Sequence, residues 1–184
     1  MSSAQFSHLL LPLSRERACE LRAGEVVHLS GSLYTARDAA HQRLVELIHA
    51  GRELPIALEG QVIYYCGPTP APPGRPIGSA GPTTSYRMDD FAPELYRLGL
   101  RATIGKGNRS ARVRQALRRY GGVYLVAVGG AGALLADRVI AAEVVAWPEL
   151  GPEAIHRLQV EHFPAIVGYD CVGGTAFVGE KPLT

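Results

Sequence analysis

Two short runs, Val62–Cys66 and Val123–Val128, stay apolar or aromatic along their whole length. A strand wetted on one face alternates apolar and polar residues, whereas a continuous run marks a strand covered on both faces, as in parallel sheets. Helical spacing recurs around these runs: Ala40, Leu44, Leu47 and Ile48 share one face of the segment 36–50, and Val113, Ala116 and Leu117 share a face after Ser110. Strands that alternate with helices specify an α/β fold with a mixed, partly parallel sheet. The 184 residues fit a single domain spanning 1–184, with no internal repeat and no linker.

The rest of the chain reads as follows. Leu9–Leu11 forms an edge strand, and Ser14 caps a short helix to Leu21. Val26–Leu29 is a strand ended by Ser30-Gly31-Ser32, and Thr35 is the N-cap of the helix that Gly51 ends. A second helix begins at Asp89 or Asp90 and closes at Gly99. Ala102–Ile104 is a strand, and Ser110 caps a helix to Arg119. A glycine loop over 129–132 leads into an alanine-rich helix to Ala136. Val139-Ile140 and Glu143–Trp147 are strand-like, and Pro152 takes the first position of a helix Glu153–Arg157. Phe163–Val167 and Thr175–Val178 are strands of a hairpin around Gly173-Gly174.

Composition removes several classes of function. The net charge of +2 is too small for a nucleic-acid binder, and Arg109, Arg112, Arg114, Arg118 and Arg119 read as the solvated face of a helix. No apolar run approaches the roughly 20 residues that span a bilayer, and Leu9-Leu10-Leu11 lacks the basic flank of a signal peptide. No nucleic acid or membrane partner is expected, and the expected location is the cytoplasm. The three cysteines, Cys19, Cys66 and Cys171, are spread along the chain and form no disulfide framework. No histidine spacing suggests zinc ligands, and no metal site is expected in this chain.

The chemistry concentrates in two loops. The proline-rich segment Gly67–Gly81 leads into Pro82-Thr83-Thr84-Ser85-Tyr86-Arg87-Met88, and the strand Ala102–Ile104 leads into Gly105-Lys106-Gly107-Asn108-Arg109-Ser110. Loop glycines, hydroxyls, a guanidinium and an ammonium together suit a carboxylate or phosphate. A nucleotide loop is disfavoured, because Gly107 rather than Ser or Thr follows Lys106 and the Walker spacing fails.

These loops also carry a resemblance. Gly81-Pro82-Thr83-Thr84 with Arg87-Met88, then Gly105–Ser110, resemble the β component of the iron–sulfur-dependent hydro-lyases, the class I fumarases and L-tartrate dehydratases. Tyr34-Thr35-Ala36-Arg37-Asp38-Ala39-Ala40-His41, Gly67-Pro68-Thr69-Pro70, Pro148-Glu149-Leu150-Gly151 and Phe163-Pro164-Ala165 match in the same order. The resemblance implies a swivelling β/β/α domain. It implies that Arg37, Arg87 and Lys106 hold substrate carboxylates and that Thr83 stands at the reacting carbons as the catalytic residue. Thr84, Asp38, Asn108 and Arg109 are supports, and His41 lies one helical turn from Arg37. Removing a proton beside a carboxylate builds charge there, so cations fixed at that oxygen pair lower the barrier.

By the same resemblance the [4Fe–4S] cluster belongs to a partner α-subunit in an α2β2 heterotetramer, and this chain binds none and is inactive alone. The expected reaction is reversible hydration of fumarate to L-malate, a small dicarboxylate. The gene-family features shared with tartrate dehydratases leave tartrate as the alternative, because Ser85-Tyr86 departs from the small pair common in fumarases. A non-catalytic assembly domain is the alternative of another class, and dehydration of malate by the two-component complex discriminates against it.

Overall fold

The computed structural model describes residues 6–127 and 130–183. Val128 and Gly129, expected as a strand end and a loop start, lie outside the described residues. Among those described, seven strands join one sheet: β1 (Ser7–Leu10), β2 (Val26–Thr35), β3 (Val62–Tyr64), β4 (Ala102–Gly105), β5 (Val123–Val126), β6 (Val139–Ala146) and β7 (Ile155–Tyr169). Five helices accompany them: α1 (Arg15–Glu20), α2 (Asp38–His49), α3 (Ala92–Arg97), α4 (Ala111–Tyr120) and α5 (Gly132–Ala136). Strands β1 to β5 pair in parallel, and β7 pairs antiparallel with β2, β5 and β6. The expected mixed α/β class is therefore correct.

Because β7 bonds both β2 and β5, the strands β2-β3-β4-β5-β7 form a ring. Ring closure explains the continuous apolar runs. Along β3, Val62 and Tyr64 join one buried cluster while Ile63 and the following Tyr65 join the other. The same alternation sends Ala102 and Ile104 of β4, and Val123 and Leu125 of β5, to the first cluster, which also holds Leu33, Leu158, Val160 and Phe163. Tyr124 joins the second, beneath α2, α3 and α4, with Ala40, Leu44, Leu95, Val113 and Leu117. β3, β4 and β5 face apolar neighbours on both sides, so no polar face is written into them, whereas β2 and β7 alternate buried positions with wetter ones.

Tertiary pairing overrides several local expectations. β2 does not stop at Ser30-Gly31-Ser32 but continues to Thr35, because β7 pairs with it on both sides of an irregularity between Leu29 and Gly31. Thr35 does not cap α2: its Oγ1 accepts the His156 backbone N–H at 3.2 Å, and the N-cap position falls to Arg37. Pro152 opens no helix. Pro148–Glu153 is a 3-10 turn broken at Gly151 (φ 57°, ψ −124°), and Ile155 already begins β7. The second helix starts later than Asp89 or Asp90, and a separate 3-10 turn, Ser85–Met88, precedes it. Thr175 makes only an isolated bridge to Tyr169, so the hairpin at Gly173-Gly174 is not a paired strand. The two strand pieces near residue 140 are one strand, β6.

The β2 irregularity rests on one glycine. Gly31 has φ +126°, and a Cβ there would stand 2.9 Å from both the Cβ and the carbonyl oxygen of Leu11. Gly31→Ala is expected to lower the free energy of unfolding by about 2 kcal/mol or more, combining backbone strain with contact against main chain. Urea unfolding of wild type and variant checks this, and equal midpoints would contradict it.

Candidate active site

The two chemistry-bearing loops meet at the carboxyl ends of the parallel strands β2, β3 and β4, the end at which parallel strands of α/β folds, open or closed, present ligand sites. After β3 the chain runs through Tyr65 and Cys66 into the proline-rich loop. That loop is tied to itself: Thr69 receives N–H groups from Gly78 at its carbonyl (3.0 Å) and from Ser79 at Oγ1 (2.7 Å). Its far end is fixed by the Tyr64 hydroxyl, which donates to the Ala80 carbonyl. The chain then returns alongside its own strand, with the Thr83 N–H donating to the Tyr65 carbonyl at 2.6 Å. Thr84 and Lys106 bridge in parallel, the Lys106 N–H donating to the Thr83 carbonyl (3.3 Å) and the Ser85 N–H to the Lys106 carbonyl (2.9 Å). Thr83, Thr84 and Lys106 thus share one rim. Thr83 and Thr84 are half-buried and Lys106 is exposed.

Ser85 and Gly105 explain how close the loops come. A Cβ on Gly105 would fall 1.9 Å from Ser85 Oγ and 3.0 Å from the Tyr65 ring. Ser85 is fully buried, 2.8 Å from the Tyr124 hydroxyl, which in turn donates to the Gly107 carbonyl at 2.8 Å. Its side chain points into the fold, and Tyr86 is exposed. Ser85 therefore holds the loop in place and does not line the rim.

Arg37, Asp38 and Arg87 gather beside this rim. Arg87 Nε donates to Asp38 Oδ1 at 2.9 Å, and Arg37 Nη2 lies 3.9 Å from Asp38 Oδ2. A residue that the sequence did not single out completes the group: Glu153 pairs with Arg37 Nη2 at 3.3 Å and accepts the Ala39 N–H at 3.2 Å. Glu153 thereby serves the start of α2, where Arg37 offers no side-chain cap. The only local signal was its place after Gly151-Pro152. Gly67 leaves room for this arrangement, since a Cβ there would meet Arg37 Nη1 at 3.2 Å. Arg37 Nε and Asp38 Oδ2 are buried atoms without a hydrogen-bond partner.

The remaining expected residues fall elsewhere. Arg109 is buried and salt-bridged to Asp89, behind the rim. Asn108 is exposed and donates to Glu180 near the end of the chain. His41 is fully buried, with Nδ1 2.9 Å from the Arg37 carbonyl and its ring edge-on to Tyr65. The cysteines do not converge on a cluster. Among the described residues the three of them form no group of ligand atoms within reach of one ion. Burial pushes the Cys66 thiol up to about 12, and burial with the neighbouring Cys19 pushes Cys171 up to about 12.

The sequence model of the fumarase C-terminus family matches residues 5–179. The chain belongs to the fumarase C-terminus family. It is 46% identical over 151 residues to the anaerobic class I fumarate hydratase of Escherichia coli K12, covering 81% of this chain and 28% of that protein. It is 42% identical over 152 residues to the mitochondrial fumarate hydratase 1 of Leishmania major, again covering 81% and 28%. A Methanocaldococcus jannaschii chain provisionally named L(+)-tartrate dehydratase subunit beta is 37% identical over 171 residues, covering 90% of this chain and 88% of that one. The chain therefore spans less than a third of the two fumarases and nearly the whole of the β-subunit. No helix among the described residues is long and apolar enough to cross a membrane.

His41 yields a pH prediction for this family member. Burial is the main cause that lowers its pKa from 6.5 to about 4, outweighing the Arg37 carbonyl contact and Asp38. The unfolded chain takes up that proton near 6.5 and the folded chain only near 4, so acid favours unfolding between these values. From about pH 7.5 to about pH 4.5, wild type should lose about 2–3 kcal/mol more stability than His41→Gln. Urea unfolding of both proteins at the two pH values measures it, and parallel losses would contradict it.

Proposed function

We propose that this chain supplies the dicarboxylate-holding part of an iron–sulfur-dependent hydro-lyase, a fumarate hydratase that interconverts fumarate and L-malate. The observation that carries this reading is the gathering of Arg37, Arg87, Thr83 and Lys106 around the carboxyl ends of three adjacent parallel strands. Asp38 holds Arg87 through Nε, which leaves both Nη groups to fork onto a carboxylate, and the Arg87 side chain is 44% exposed. Lys106 brings a third positive charge, after Arg37 and Arg87. Thr83 acts through its hydroxyl at the carbon that loses or gains the proton. Cations placed where charge grows stabilise the transition state more than the ground state.

In this reading the [4Fe–4S] cluster is carried by a partner α-subunit, in a complex with two copies of each chain, and this chain is inactive without it. L-Tartrate dehydratase is the second reading, and the nearly full-length match to the chain named as a tartrate dehydratase β-subunit favours it. Ser85, being turned into the fold, does not decide between the two substrates.

Anaerobic co-expression with an iron–sulfur α-subunit, followed by assay on malate and tartrate, tests the proposal. Malate dehydration by the complex is expected, tartrate turnover alone would move the assignment to the second reading, and neither would overturn both. Loss of a charge-assisted fork costs ~1.5–3 kcal/mol, so Arg87→Lys should raise KM roughly tenfold or more. Thr83→Val should lower kcat by about two orders of magnitude with KM little changed. Both variants must co-purify with the partner as wild type does. Wild-type turnover by Thr83→Val would remove the hydroxyl from the chemistry.

A further inference from the structure

At the other end of β2 from the candidate site, three histidines converge. His8 on β1 and His28 on β2 are register partners in a parallel pair. His28 is paired across β2 and β7 with Pro164, two residues from His162. The ring centroids lie 5.7 Å (His8–His28), 5.5 Å (His8–His162) and 6.2 Å (His28–His162) apart. One ring nitrogen from each falls within 4.8 Å of the others. His162 has φ +49°, and its N–H donates to Ser30 Oγ at 3.0 Å, so the backbone that presents this ring is itself held by β2. Spacing along the chain hides the group, because each histidine comes from a different strand.

We propose that His8, His28 and His162 bind one divalent first-row transition-metal ion, of the zinc, cobalt or nickel type. Imidazole nitrogen suits these ions, and the absence of a carboxylate from the group disfavours magnesium and calcium. Tetrahedral coordination at about 2.0–2.1 Å spaces ligand nitrogens about 3.4 Å apart. Closing the present separation takes at most about 1.5 Å, which rotation of the exposed His8 and His162 rings supplies. His28 is half-buried, and like the other two rings it would bind metal as the neutral imidazole. Three protein ligands leave the fourth position to water.

The ion would cross-link β1, which pairs only with β2 among the described strands, to both β2 and β7. His28 precedes Thr35 on β2 by seven residues, about 23 Å of strand at ~3.3 Å per residue. The site is thus remote from the rim, and its role is to hold the edge strand rather than to take part in turnover.

The test uses the full, tag-free chain after chelator treatment, titrated calorimetrically with zinc chloride and spectroscopically with cobalt chloride. Binding of about one equivalent is expected, with a raised melting temperature at saturating zinc. The cobalt complex should show ligand-field bands without thiolate charge transfer. His8→Gln and His162→Asn, the latter chosen to tolerate positive φ, should each weaken zinc at least about tenfold while leaving the metal-free melting temperature close to wild type. Cys19→Ser and Cys171→Ser should bind zinc as wild type does. The proposal is overturned by absence of stoichiometric binding, by undiminished affinity in both histidine variants, or by a thiolate cobalt spectrum that the cysteine variants abolish.

Discussion

One buried guanidinium ties the two rim loops together. The Arg109 side chain is 0% exposed, and each of its three nitrogens donates one hydrogen bond: Nε to Asp89 Oδ1 at 2.6 Å, Nη1 to Thr103 Oγ1 at 3.0 Å and Nη2 to the Tyr65 hydroxyl at 3.3 Å. It lies over the Tyr65 and Tyr124 rings at 5.2 Å and 5.0 Å. The other oxygen of Asp89 accepts the Ser110 N–H at 2.5 Å, at the start of α4. Asp89 closes the turn that carries Arg87, and Arg109 closes the loop that carries Lys106, so one ion pair couples both. A buried pair adds little net stability over an apolar substitute, but an unpaired member is costly, so its geometry is enforced.

The polar groups in front of this pair are arranged for the opposite end. Behind the rim the polar side chains are buried and bonded to one another. Thr103 and Tyr96 extend the chain from Arg109, the Tyr96 hydroxyl donating to the Val123 carbonyl at 3.1 Å. At the rim, carboxylates take only part of each guanidinium: Asp38 takes Arg87 Nε, while Asp38 and Glu153 approach one Nη of Arg37. The inner network positions the loops that carry the rim cations, of which Arg87 and Lys106 are exposed. A charged substrate meets cations that need little reorganisation.

The sequence made the α/β class legible because ring closure leaves its mark in local composition: Val62–Cys66 and Val123–Val126 are apolar on both faces. The rim residues were legible through loop motifs, since Pro82-Thr83-Thr84 and Gly105-Lys106-Gly107 must fit close backbone approaches. Partners distant in sequence were not legible. Thr35 had the residue type of a helix cap, yet the passage of β7 beside it diverted its hydroxyl to His156. Glu153 looked like the first turn of a helix, yet it reaches back to Arg37 and Ala39 from a turn shaped by Gly151. His8, His28 and His162 met only because three strands pair. In each case local propensity was outweighed by a contact that only the closed sheet creates.

Arg109 and Asp89 act as one unit in holding both loops. A double-mutant cycle of Arg109→Met, Asp89→Asn and the double variant, followed by urea unfolding, tests it most directly. Each single variant should lose about 3–5 kcal/mol, and the double should lose clearly less than their sum, because the second change removes a charge already left unpaired. Additive losses would contradict this coupling, since the two side chains would then be contributing to the fold independently.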